Sequence, residues 1–420
     1  MGAEVYDYRT YIYFLNTWRR WAMRRSMKFL LRPTGAQLIA LAQCLEDHRE
    51  LYNAALEHRR IVYAKTRTTV RYGDQSAELK HIRADDAQGQ GRWSFSSQQS
   101  TLRRLDRAFR RFFERIHQGR APGFPRFKSR GRFNTVEWPK DGDGCRWNSR
   151  PEHPTTAFVR IQGVGHVKVH QHRDVLGIVK TISVKREGAR WYVLLSCDDV
   201  PVEPLPATGS AVGIDLGVCS LLTTSDGEHF ANPRFLSAGV KLLSAATRDL
   251  ARRSRGSKRH RDAAARVAAL HGKVRRRRLD YAHKIANRLV RSYDLIVHEA
   301  LQIVNMTKRA SPKPDGNGSY LPNHAAAKTG LNKSILDAGW GVFLRILVDK
   351  AESAGREVVA VNPATTSRMC NRCGHTAKEN RVTQAEFACG ACGHTAHADV
   401  NAAINILRAG LALREAASAA

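Results

Sequence analysis

Apolar residues recur along the chain with a period that changes by region, and each period predicts a different kind of element. A short strand is expected from Met27 to Arg32, closed by Pro33, which has no N–H to give to a sheet. Thr34 and Gln37 form a capping-box pair. Leu38, Leu41, Leu45, Tyr52 and Leu56 then recur on one face of a long helix reaching about Lys65. After a polar, weakly periodic interval from Thr66 to Gly91, a second helix carries Leu102, Leu105, Phe109, Phe112, Phe113 and Ile116 on one face. From Thr155 to Val200 the period becomes two, and AFVRIQ, GHVKVHQH, IVKTISVKR and RWYVLLSC read as antiparallel strands separated by Gly-rich or charged turns. They predict a small barrel that Met27–Arg32 completes, so residues 34 to about 122 are expected to be a helical insertion. Residues 1–26 are aromatic and basic, and read as a loosely ordered extension. Their one apolar run, Tyr11 to Leu15, is too short for a secretory leader.

Pro201, Pro204 and Pro206 form a linker, after which strand and helix patterns alternate. The apolar run Ser210-Ala-Val-Gly-Ile-Asp-Leu-Gly-Val218 ends in Asp215, and LLTTSDGEHF turns through Asp226-Gly227. This is how a ribonuclease-H-like sheet presents its first carboxylate, although a lone Asp there is also compatible with a turn or a salt bridge. Residues 251–291 carry spaced apolar positions at Val267, Leu270, Val274 and Tyr281, and predict one or two helices. The strand Leu295-Ile-Val-His-Glu299 then delivers a second carboxylate at its end.

The most specific pattern lies near the C-terminus. Cys370 and Cys373 form one C-x2-C knuckle, Cys389 and Cys392 a second, and fifteen residues separate them. That spacing predicts a zinc ribbon, inserted at about residues 366–396. Gly374 and Gly393 follow the two knuckles, where the turn needs a residue tolerant of positive φ. Asp399 comes seven residues after Cys392 and opens the apolar helical run Val400 to Leu407. Asp215, Glu299 and Asp399 thus each sit at the end of a hydrophobic element. Buried carboxylates are costly unless a cation neutralises them, and hard oxygen ligands call for Mg2+ or Mn2+.

Composition narrows the partner. The 420 residues suggest two to four domains, and 42% hydrophobic content suits a soluble globular protein. With 69 Lys and Arg against 38 Asp and Glu, the net charge is +31 and the isoelectric point about 10.4, which calls for a polyanion. No run of about 18 apolar residues offers a membrane span, so nucleic acid is favoured over a membrane. Cys44, Cys145, Cys197 and Cys219 stand singly, as in a reducing compartment, and a prokaryotic cytoplasm with the protein at the nucleoid is expected. Two stretches concentrate the charge. Arg103 to Arg132 holds eleven Arg or Lys and ends in GFPRFKSRGRF, where Phe124, Phe127 and Phe133 alternate with cations that can meet phosphates while the rings stack on bases. Residues 251–291 hold fifteen, including Arg275, Arg276, Arg277 and Arg278, against only Asp262 and Asp280.

GIDLGV, the basic stretch into VHEAL, LNKSILDAGWG, TTSRMCNRCG and CGACGHTAHADVNAAINIL, in that order, resemble the TnpB (OrfB) family of insertion-sequence proteins, compact RNA-guided nucleases related to type V CRISPR effectors. The resemblance is dense from about Ala211 to Leu407 and weaker at MKFLLRPT and near Arg126. It implies a multidomain α+β chain: a split wedge barrel at about 27–33 and 123–205, a helical recognition domain at about 34–122, and a RuvC-like nuclease domain at 209–420 holding the ribbon. It implies Asp215, Glu299 and Asp399 as ligands of Mg2+ or Mn2+, one structural Zn2+ on the four cysteines, a guide RNA from the transposon end, and double- and single-stranded target DNA. The chain departs from the family at His397-Ala398 and at Ala300 after Glu299. A guided nuclease needs only a short direct readout of the duplex beside its target. Tyr52, Asn53, Arg59 and the run Arg126, Lys128, Arg130 and Arg132 are the candidates for it. Cut-and-paste transposases usually place Glu last, and junction resolvases need no ribbon. A DNA-binding regulator with or without a guide, lacking nuclease activity, is the non-enzymatic alternative.

Overall fold

A computed structural model describes residues 23–153 and 156–418; of the extension expected at 1–26, residues 1–22 lie outside them. The chain divides at Pro201 and Val202 into two compact units.

The first unit is a near-closed antiparallel barrel of seven strands: β1 (Met23–Arg32), β2 (Thr135–Trp138), β3 (Cys145–Trp147), β4 (Ala157–Ile161), β5 (Gly165–His170), β6 (Ile178–Glu187) and β7 (Arg190–Val200), in the order β2-β6-β7-β1-β5-β4-β3. Strand β1 starts four residues earlier than its apolar pattern suggests, because its first residues pair with the end of β7, Met23 opposite Val200. Its inward side chains Met27, Phe29 and Leu31 alternate with the less buried Lys28, Leu30 and Arg32, and Phe29 stacks on Trp147 at 5.7 Å between ring centroids. The short strands β2 and β3 carry too few residues for a readable period. They are recruited by their neighbours, Val136 pairing with Val184 and Arg146 with Arg160.

Between β1 and β2 come helices α1 (Gly35–Thr66), α2 (Tyr72–Asp85) and α3 (Phe95–His117). Both halves of the Thr34–Gln37 capping box form, and α1 ends at Arg67, which takes a left-handed φ of 56°. Leu41, Leu45, Tyr52 and Leu56 are buried as their period requires, whereas Leu38 is exposed. Helix α2 occupies the interval that looked aperiodic. It buries only Leu79 and Gln75, so one fully buried leucine and side-chain hydrogen bonds hold it where a stripe would have announced it. The apolar face of α3 is likewise only half used: Leu102 and Leu105 are buried, but Phe113 and Ile116 are about half exposed.

The second unit is built on a mixed sheet of β8 (Ala211–Asp215), β9 (Ser220–Thr224), β10 (His229–Ala231), β11 (Leu295–Glu299) and β12 (Glu357–Val361), ordered β10-β9-β8-β11-β12. Strands β8, β11 and β12 are parallel and β9 and β10 antiparallel. Helices α4 (Val240–Ala251), α5 (Lys258–Ser292), α6 (Ala325–Ala338) and α7 (Trp340–Ala354) intervene, and α8 (Ala398–Ser418) ends the described chain. The cationic stretch is one 35-residue helix, α5, whose buried side chains, Ala263 apart, lie between Ala282 and Val290, so its first two thirds are largely solvated. Arg356 secures the entry to this unit: its guanidinium donates to the Val290 and Pro206 carbonyls and pairs with Asp294, which accepts from the amides of Thr208 and Gly209.

Helix α8 lies directly on β8 and β11. A Cβ at Gly213 would run into the Ala403 carbonyl, and one at Gly410 into the Val297 side chain, so hydrogen is the only substituent that fits at either crossing. Among the described residues no helix is long and apolar enough to cross a membrane. Gly213→Ala meets backbone that cannot swing aside, and overpacking of this kind costs about 1–3 kcal/mol. It should lower the melting temperature by several degrees in a thermal denaturation series. Gly35→Ala, where a Cβ meets nothing within 4 Å at the start of α1, should leave it unchanged or slightly higher.

Candidate metal centre

Parallel pairing of β8 with β11 places Val212 beside Ile296 and Ile214 beside His298. One residue further on, Asp215 and Glu299 end adjacent strands at the same level. Asp399 stands in the first turn of α8, where the helix dipole favours an anion, and its charge acts on Asp215. Its carboxylate accepts a hydrogen bond from the Arg381 guanidinium at 3.0 Å, and Glu299 accepts one from the Thr366 hydroxyl. His397, two residues before Asp399, and His229 lie edge to face with ring centroids 4.5 Å apart.

Burial penalises the charged form of Asp215, and the Glu299 and Asp399 carboxylates add to it. Together they outweigh Arg381 and the Leu216 amide and lift Asp215 to about 7. Burial also raises Glu299, against the hydrogen bond from Thr366. Buried carboxylates whose charged form is penalised in this way gain from a nearby cation. Among the described residues only the four cysteines bring three or more metal-ligating side-chain atoms within 4.8 Å of one another; the three carboxylates are linked through their effect on Asp215.

The four cysteines come together. Their sulfurs lie within 4.8 Å of one another, with Cys370 to Cys392 at 3.8 Å and Cys373 to Cys389 at 3.6 Å. Tetrahedral Zn–S bonds would set sulfurs about 3.8 Å apart. Each knuckle closes through an amide–carbonyl bond, Gly374 to Cys370 and Gly393 to Cys389, with φ of 76° and 69° at the two glycines. The Cys392 amide leads in holding the Cys389 thiol down to about 6. Cys373 receives the His375 amide yet is pushed up to about 12 by the thiols around it. Four thiols so close cannot all ionise without a cation, and the cluster is compatible with a structural zinc. A hairpin of β13 (Glu386–Ala388) and β14 (Thr395–His397) completes the ribbon.

The residues expected to touch nucleic acid divide in two. Tyr52 is 1% exposed, and Arg59 is 8% exposed with its side chain on Gln75 and Asp106. Asn53 donates to the Lys128 carbonyl and accepts from the Lys128 amide. These three build the surface rather than protrude from it. Phe133 is buried against Tyr52 and beneath Arg104, so it is not available to stack on a base. Arg126, Arg130 and Arg132 are exposed and Lys128 half-buried; Arg130 meets Glu46 at 2.8 Å. Phe124 joins Phe109 and Phe112 in an edge-to-face cluster. On α5, Arg275, Arg276 and Arg277 are exposed, whereas Arg278 turns to the buried Asp337 at 2.6 Å. Residues absent from the sequence-level site are Thr366, Arg381, Gly213 and Gly410. Gly213 stands within the GIDLG stretch and Thr366 within TTSRMC, but only contacts distant in sequence show what each does.

A near-closed barrel, a mixed sheet and a four-cysteine cluster in this order define a Cas12f-like α+β fold. Among solved structures, Cas12f1 with single-guide RNA and target DNA superposes with a TM-score of 0.54 at 16% identity, over 88% of this chain and 82% of that one. A family model described as a probable transposase, OrfB of the IS605 type, matches residues 178–310, and a Cas12f1-like TNB domain matches 340–406. One described as a helix-turn-helix domain matches 23–68, where the structure has β1 and the single helix α1. The chain is 34% identical over 390 residues to "Putative RNA-guided DNA endonuclease InsQ" of Escherichia coli K12, covering 93% of each. It is 31% identical over 402 residues to a protein of the same description from Streptomyces pristinaespiralis, covering 93% of this chain and 90% of that one. The chain therefore belongs to the IS605 OrfB (TnpB) family.

Elemental analysis should find one zinc per chain, and Cys370→Ser should lose it and melt the ribbon at lower temperature. Structural zinc supplies on the order of 10 kcal/mol to small modules, so the effect should be large. Raised above its ordinary value, Asp215 favours the fold while neutral and costs stability as pH climbs through about 7. Without added divalent cation, Asp215→Asn should melt higher than wild type at pH 8 and the same at pH 4. An equal difference at both would contradict the assigned burial of charge.

Proposed function

We propose that this chain is an RNA-guided DNA endonuclease that cleaves by metal-ion phosphodiester hydrolysis. The observation that carries the reading is that Asp215 and Glu299 end adjacent parallel strands and that burial, with the Glu299 and Asp399 carboxylates, lifts Asp215 to about 7. The sheet order, with three parallel strands flanked by an antiparallel pair, supports a RuvC-like, ribonuclease-H-type domain at 209–420. The barrel strands and α1–α3 support a wedge at 27–33 and 123–205, split by a helical recognition domain at 34–122.

Asp215, Glu299 and Asp399 would hold Mg2+ or Mn2+, whose chemistry there would be activation of a water and stabilisation of the leaving oxygen of a phosphodiester. The three carboxylates set the ligand geometry. Arg381 pairs with Asp399 at 3.0 Å and offsets part of its charge. The exposed cations Arg126, Arg130, Arg132 and Arg275 to Arg277, with half-buried Lys128, hold guide and target through phosphates. A guide RNA from the transposon end selects the site, while Arg126 to Arg132 contribute to reading a short flanking motif, at about 1–3 kcal/mol per bidentate contact.

Asp215→Ala, Glu299→Ala and Asp399→Ala should each cut cleavage about 10^2 to 10^4-fold, the loss of several kcal/mol of transition-state stabilisation, with guide binding intact. Replacing the guide should redirect cleavage in a plasmid library randomised beside a fixed target. Cleavage that persists at one site whatever the guide would refute the scheme.

A further inference from the structure

Thr366 lies on the chain entering the zinc ribbon, 67 residues from Glu299, yet its hydroxyl donates to Glu299 Oε1, the shorter of its two contacts, the other being the Pro363 carbonyl at 3.1 Å. Thr366 is 5% exposed, so this is an interior contact. The backbone around it is held by two asparagines one turn apart on α8. Asn405 donates to the Thr366 and Met369 carbonyls at 3.0 and 2.7 Å. Asn401 donates to the Met369 carbonyl at 2.8 Å and accepts from the Asn371 amide at 3.0 Å. Asn401 and Asn405 are 0% and 1% exposed. Buried amide groups are costly unless paired, and the N–H donors of both are spent on one short stretch of main chain, although the Asn405 Oδ1 has no partner among the described residues. That stretch ends at Cys370, a ligand of the four-thiolate cluster, and the helix that clamps it carries Asp399 at its start.

We infer that Thr366 is a positioning residue for Glu299, and that the segment from Thr366 to Cys370, clamped by Asn401 and Asn405, makes the zinc ribbon a support for the catalytic carboxylates. The hydroxyl engages one carboxylate oxygen and fixes the plane of the group, leaving Oε2 to face a cation. A carboxylate held in this way presents its ligand atom without searching rotamers. Partners of this kind behind a metal ligand commonly contribute about tenfold to a hundredfold in metal affinity or rate. The inference rests on Glu299 being a metal ligand.

The test compares Thr366→Val, which keeps the shape and removes the hydroxyl, with Thr366→Ser, which keeps the hydroxyl and removes the methyl. Mn2+ titration of the full-length chain followed by electron paramagnetic resonance reads binding directly, with melting temperature, zinc content and guide binding measured alongside. Thr366→Val should weaken Mn2+ binding about tenfold or more and raise the Mn2+ concentration needed for half-maximal cleavage in parallel. Zinc content and guide affinity should stay at wild-type values, and Thr366→Ser should restore Mn2+ binding. Wild-type Mn2+ affinity in Thr366→Val, or a Thr366→Ser variant as weak as Thr366→Val, would overturn the inference. Asp215→Ala separates it from the underlying reading: if that variant also binds Mn2+ normally, the carboxylate site itself is wrong. If it loses Mn2+ while Thr366→Val does not, only the role of Thr366 fails.

Discussion

The candidate site depends on how closely α8 can lie against β8 and β11. Backbone touches backbone at Gly213 and helix touches side chain at Gly410, and at neither crossing is there room for one more carbon. This contact turns Asp399, from the far end of the sequence, toward two strand ends that a shared register already holds side by side. Ile406 and Ala403 complete the seat as fully buried residues, so the helix is fixed by packing before any charge is considered. The geometry is thereby imposed on three carboxylates that would otherwise repel one another.

The repulsion is only partly relieved by the protein. Arg381 reaches Asp399 and Thr366 reaches Glu299, while Asp215 has the Leu216 amide and is held near neutrality. Both relieving side chains come from the ribbon region, and a third, Gln384, donates to Cys219 just beyond Asp215 at 3.3 Å. The ribbon is small and has a modest core of Cys370, Phe387, Cys389 and Ala398. The four-cysteine cluster that could hold a structural zinc lies in this small core, on the same segment that reaches Glu299 and Asp399.

Positive charge serves two separate ends in this chain. Some arginines are structural: Arg59 on Gln75 and Asp106, Arg278 on Asp337, and Arg356 on carbonyls and Asp294. The remainder crowd onto solvated surfaces, above all the outward faces of α3 and of the first two thirds of α5, where few acids accompany them. Such faces repel themselves, and their cost is repaid only when a polyanion is bound. The aromatic cluster of Phe109, Phe112 and Phe124 beside one of them explains why the tail of α3 keeps apolar side chains outside the core.

Local chemistry alone was enough to read the capping box and long first helix, the alternating strands of the barrel, β11 to the residue, the knuckle turns at Gly374 and Gly393, and the acids at element ends. These are legible because each is decided by residues within a few positions of one another. Helix α2 and strands β2 and β3 were not, since they are held by neighbours far along the chain rather than by a stripe of their own. The same limit governed function. Residue type and spacing identified Cys370, Cys373, Cys389, Cys392, Asp215, Glu299 and Asp399 as candidates, but could not tell an arginine or tyrosine that faces water from one sealed inside. Only the tertiary structure buried Tyr52, Arg59 and Phe133, joined Thr366 to Glu299 and Arg381 to Asp399, and gave Gly213 and Gly410 their purpose. Those outcomes depend on which surfaces meet across long stretches of chain, and a one-dimensional pattern records what each surface is made of, not what it is pressed against.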